Sequence, residues 1–139
     1  MTNHEDAMSL TEYIGVLGIT AQVVRGADGP LPGTWPHDAR IHCWTVTLRR
    51  PGHVMVTPWY AGYNMPDPPT AEIVLDTLLQ EADLLEAARD YDDWCDELGW
   101  ADVARRAETR DSYRRAQRQR EQLMDFLGEH YENLLWNVS

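Results

Sequence analysis

Three prolines in four residues, Pro66, Pro68 and Pro69, divide this 139-residue chain into two halves that obey different periods. Proline lacks an amide hydrogen and forces the preceding residue out of the helical region, so neither a strand nor a helix runs through such a cluster. Before it, Ile41 to Leu48 alternates, with Cys43, Thr45 and Thr47 on one side and His42, Trp44, Val46 and Leu48 on the other. That is the period of a strand with one buried face. After it, Ile73, Val74, Thr77, Leu78, Glu81, Leu84 and Leu85 recur at helical spacing.

The N-terminal half reads as strands. Met1 to Met8 is polar and reads as a disordered tail. Ser9-Leu10-Thr11-Glu12 has capping-box spacing and opens a short helix to about Leu17. Ile19 to Arg25 is rich in β-branched residues and forms a first strand. Gly26 to Arg40, with three prolines and Trp35 as its anchor, is a loop. Arg49-Arg50-Pro51-Gly52 turns the second strand into a third, Val54 to Tyr60, where Pro58 requires an edge or a bulge. The C-terminal half reads as three helices. Thr70 caps the first, and a break near Arg89 and Asp90 begins a second with Tyr91, Trp94, Cys95 and Leu98 inward. Gly99 ends that second helix. Asp102 caps a long arginine-rich third, running to about Asn137 with an interruption at Gly128, its apolar stripe drawn from Val103, Ala107, Tyr113, Ala116, Leu123, Leu127, Tyr131 and Leu134. The expected fold is therefore α+β and a single domain over 1–139, a three-stranded antiparallel meander followed by a three-helix C-terminal half.

Charge is as unevenly distributed as hydropathy. The chain carries 23 acids against 12 basic residues, all arginine, for a net charge of −11. Asp67 to Asp102 holds twelve acids against Arg89 alone, and Val103 to Leu123 holds seven arginines against Glu108, Asp111 and Glu121. One acidic block thus equals the entire net charge, and a basic helix follows it. Two roles suit the block. It is a solvated face that keeps the protein soluble, or an array of carboxylates that occupies a surface built for nucleic-acid phosphates. Asp83, Glu86, Asp90, Asp92, Asp93, Asp96 and Glu97 are the expected contacts of the second role, with Tyr91 and Trp94 holding their helix. The arginines Arg105, Arg106, Arg110, Arg114, Arg115 and Arg118, with Arg120, either bind nucleic acid or dock against the acidic segment of the same or a neighbouring molecule. A homodimer is open on that second reading.

Catalytic and metal chemistry finds no pattern. His4, His37, His42, His53 and His130 lack ligand spacing. The run from Asp90 to Glu97 places Cys95 where a calcium loop needs glycine. Cys43 and Cys95 have no nearby cation in sequence to favour a thiolate. There is no phosphate-binding glycine loop, no dinucleotide fingerprint and no nucleophile elbow. The expectation is a protein that is not an enzyme, with no metal and no cofactor. No apolar run is long enough to span a membrane, and the polar start fits no secretory signal, so the cytoplasm is the expected place.

Six runs carry a resemblance: W-x-V-x-L-R-R (Trp44 to Arg50), V-x-V-x-x-W-x-x-G (from Val54), P-P-T-A-E-I-V-L-D (Pro68 to Asp76), R-D-Y-D-D-W-C-D-E-L-G-W (Arg89 to Trp100), A-E-x-x-x-x-Y (Ala107 to Tyr113) and F-L-G (Phe126 to Gly128). Together they resemble small acidic proteins encoded by phages and mobile elements of GC-rich bacteria, over about two thirds of the chain. Gly99-Trp100-Ala101-Asp102 departs from the Gly-Tyr-Asp expected there. The resemblance implies an anti-CRISPR-like or anti-defence inhibitor acting in the host cytoplasm. Its partner would be a host defence nuclease or CRISPR effector. Nucleic acid is the partner only if the arginine helix is the binding surface.

Overall fold

The computed structural model describes residues 9–26, 41–62 and 67–138. The expected tail 1–8 and most of the expected Gly26–Arg40 loop lie outside the described residues. Helix α1 (Leu10–Leu17) starts with the full capping box: the Ser9 hydroxyl accepts from the Glu12 amide at 3.2 Å while Glu12 reaches back to the Ser9 amide. Strands β1 (Thr20–Arg25), β2 (Ile41–Arg50) and β3 (His53–Gly62) form an antiparallel sheet in the order β1-β2-β3. Pro51-Gly52 makes the β2–β3 hairpin, with Gly52 at φ 80°, a conformation that costs glycine nothing. Pro58, on the edge strand β3, pairs with Thr45 of β2, an edge position being what the missing amide requires.

The alternation of β2 is obeyed: Trp44, Val46 and Leu48 are buried and Thr45 is exposed. Met55 and Thr57 of β3 bury on the same side, while Val54 and Val56 face out. Helices then cover that inner side. Thr70 caps α2 (Ala71–Ala87) through the Ile73 amide, Asp90 caps α3 (Tyr91–Leu98) through the Asp93 amide, and Gly99 stops α3 at φ 74°. Helix α4 (Ala107–Leu127) is long and arginine-rich, and α5 (Tyr131–Val138) follows a one-turn 3₁₀ segment. The interruption expected at Gly128 is thus a complete break, and among the described residues four α-helices rather than three follow the sheet. Arg50, at the end of β2, donates from Nε to the Phe126 carbonyl at 2.6 Å, satisfying one of the acceptors a helix end leaves open.

Two expectations are corrected. Asp102 does not cap α4: residues 101–103 form a 3₁₀ turn, and the cap position is Arg106, without a side-chain hydrogen bond. On α2 the buried set is Val74, Leu75, Leu78, Leu79, Ala82 and Leu85, while Ile73 is 51% exposed. The helix packs on α4, α5 and α1 as well as facing the sheet, and that wider contact turns its stripe toward Leu75 and Leu79. On α4 likewise, Ala107 is exposed and Thr109 is buried. The main core joins the sheet, α2, the end of α4 and α5. A second cluster gathers Leu85, Trp94 and Cys95 with Tyr91, Trp100 and Tyr113 around them.

Candidate binding surfaces: an acidic helix and an aromatic groove

The acidic block is divided by the helices that carry it. With about 100° of rotation per residue, Glu72, Asp76, Asp83 and Glu86 fall on one flank of α2 and Glu81 on the other. Contacts agree: Glu72 accepts from Thr11 of α1 at 2.7 Å, and Glu86 accepts from Arg120 at 3.4 Å and from the Tyr131 hydroxyl at 3.3 Å. Asp83 is part-buried beside Glu86, and the two line a depression of about 560 Å³ with Tyr131 and Glu132. Burial, and then the neighbouring Glu86, push the Tyr131 phenol up to about 12, so it remains a donor to that carboxylate.

The remaining expected contacts sit on α3. Asp90 is occupied as its cap. Asp93 is held by Arg89, whose Nε donates at 2.7 Å and Nη2 at 3.1 Å, with the Arg89 amide also donating at 3.1 Å. Those hydrogen bonds draw the Asp93 carboxyl down to about 2. Asp92, Asp96 and Glu97 are exposed and have no ion-pair or hydrogen-bond partner among the described residues. Asp92 and Asp96 are four residues apart, as are Asp93 and Glu97, so each pair projects from one face of α3. Acids near a helix start are favourable, but Asp96 and Glu97 stand in its last turn, where the dipole disfavours them and no basic residue offsets them.

The arginine helix does not neutralise these groups. Arg110 lies over the Tyr91 ring at 4.7 Å from its centroid, a cation–π contact that ties α4 to α3 without touching a carboxylate. Arg114 pairs with Asp111 of its own helix at 2.6 Å. Arg105, Arg106 and Arg118 are exposed, and Arg115 turns into a groove. Among the described residues, Arg120–Glu86 is the ion pair that crosses from the acidic block to the arginine helix. Even there the Arg120 Nε–H is buried without an acceptor.

The groove, about 550 Å³, lies between the edge strand β3 and helices α2, α3 and α4. Trp59, Tyr60, Trp94 and Trp100 supply aromatic wall, with Trp94 and Trp100 edge-to-face at 5.6 Å. Glu81 and Arg115 contribute opposite charges. Sequence reasoning did not find this groove, because four separate elements assemble it. The one local signal was Glu81, a carboxylate inside an otherwise apolar helical stripe. Neighbouring apolar groups partly desolvate its carboxyl and raise it above the ordinary value, although the residue as a whole is exposed. Among the described residues no three His, Cys, Asp or Glu side chains converge as a metal site, and no helix is long and apolar enough to cross a membrane.

No protein-family model, curated protein or solved structure matches this chain.

Proposed function

We propose that the protein is a non-enzymatic inhibitor that presents the carboxylates of α3 to a nucleic-acid-binding surface of a host defence complex, a CRISPR effector being the leading case. Asp92, Asp96 and Glu97 make the contacts. Asp90 and Asp93 hold the helix in shape, and Asp83 and Glu86 extend the negative surface along α2. The observation that carries the reading is the placement of Asp96 and Glu97. Two unpaired acids at the negative end of a short helix weaken that helix, and an arginine or lysine surface would relieve the repulsion. Association should then be fast and sensitive to salt, because opposite charge steers encounter.

The arginine helix supports nucleic-acid binding less well. Arg110, Arg114 and Arg118 are exposed at i, i+4 spacing, but Arg110 lies over Tyr91, Arg114 is paired with Asp111, and Glu121 and Asp125 continue the same face with the opposite sign. A mobility-shift assay with duplex DNA and with single-stranded RNA separates the two. The protein should shift neither, yet should release a labelled duplex from a CRISPR effector. A direct shift at physiological salt would transfer the function to α4.

A further inference from the structure

We propose that the groove between β3, α2, α3 and α4 is a binding site for a small zwitterion, with Glu81 taking its ammonium group, Arg115 its carboxylate, and Trp59, Trp94 and Trp100 its apolar framework. This inference does not rest on the acidic-surface reading.

Glu81 and Arg115 line the same groove from different helices, α2 and α4, and form no ion pair with each other. Neither has a hydrogen-bond or ion-pair partner among the described residues. Arg120, half-buried on the same helix as Arg115, is paired with Glu86, whereas Arg115 is not. Two opposite charges without partners thus border one cavity. Arg115 is half-buried and Glu81 lies exposed at the groove's edge; partial desolvation of an unpaired charge is unfavourable, and a ligand that supplies both counter-charges offsets it.

The alternatives satisfy only one wall. A simple cation would suit Glu81 and the indole faces but would meet Arg115. A simple anion would suit Arg115 and meet Glu81. The space, about 550 Å³ with three indoles and a phenol, falls within the range of small-molecule sites, where apolar walls hold the body of a ligand and a few polar groups fix its ends.

Half of the six tryptophans line the groove, so intrinsic fluorescence reports its occupancy. The probes are ω-amino carboxylates from glycine to 6-aminohexanoate, titrated into the full chain beside n-alkylamines and alkanoates of matched length. One chain length should give a saturable change and shift the indole N–H resonances of Trp94 and Trp100, with the matched amine and carboxylate at least about tenfold weaker. Glu81→Gln and Arg115→Gln should each weaken that probe about tenfold or more. Their circular dichroism and melting should show both variants folded. The proposal is overturned if no member of the series saturates, if an amine or carboxylate alone binds as tightly, or if either variant keeps full affinity.

Discussion

Replacing Asp96 and Glu97 by lysine should make the protein more stable while removing its proposed activity. Both residues stand in the last turn of α3, which has no basic residue there. Reversing a charge at that end converts an unfavourable dipole interaction into a favourable one, about 0.3–1 kcal/mol at low salt for each sign. It also converts the like-charge pairs Asp92/Asp96 and Asp93/Glu97 into i, i+4 attractions, each about 0.2–0.5 kcal/mol on either side of zero. Allowing for overlap between these terms, each substitution contributes about 1 kcal/mol and the double variant about 2 kcal/mol. For a chain of this size that is a rise in Tm of roughly 6 °C. Urea or thermal unfolding at about 20 mM and about 500 mM salt measures it, and the gain should shrink at the higher salt as the charges are screened. A destabilised double variant, or a gain indifferent to salt, would refute the claim that these carboxylates are unpaired and repelled where they stand.

Three further outcomes follow from the same geometry. Arg120→Met should be neutral or stabilising by about 1 kcal/mol in denaturant unfolding: it removes a buried N–H without an acceptor, worth about 1–3 kcal/mol, and loses only a 3.4 Å ion pair worth about 0.2–1 kcal/mol. Destabilisation by more than about 1 kcal/mol would mean that the arginine helix does hold the acidic block. The Asp93 carboxyl is depressed from 3.8 to about 2, so its contribution is complete above pH 4 and is lost as pH falls toward 2. The stability gap between wild type and Asp93→Asn should accordingly close over that interval and stay constant between pH 5 and 7. Trp94→Ala, emptying the centre of the second cluster, should destabilise by about 3–5 kcal/mol in the same unfolding assay.

What was legible in the sequence was local. The alternation of Trp44, Val46 and Leu48, the edge position implied by Pro58, the caps at Ser9 and Thr70, the break near Arg89 and Asp90, and the stop at Gly99 each depend on a few neighbouring residues, and the structure has them. What depends on distant partners was not legible. Ile73 fits a helical stripe as well as Leu75 does, and only the combined contacts of α1, α4 and α5 decide that Leu75 is buried. Asp102 has the right residue type for a cap. The 3₁₀ turn that Trp100 enters, its ring against Trp94, moves the helix start to Arg106. Counting charges also overstated the unity of the acidic block, since α2 turns Glu86 toward Arg120 and Glu81 into the groove. The groove had only Glu81 as a trace in the sequence.

The most direct measurement is release of a fluorescent DNA duplex from a CRISPR effector, followed by anisotropy, with wild type and with Asp92→Lys/Asp96→Lys/Glu97→Lys. Arg89–Asp93 and the Asp90 cap are left intact in that variant, so α3 retains its fold-defining contacts. Wild type should release the duplex, less effectively as salt rises, and the folded triple variant should release none. Equal release by the two proteins, or none by wild type, would show that the carboxylates of α3 are a solvated face and nothing more.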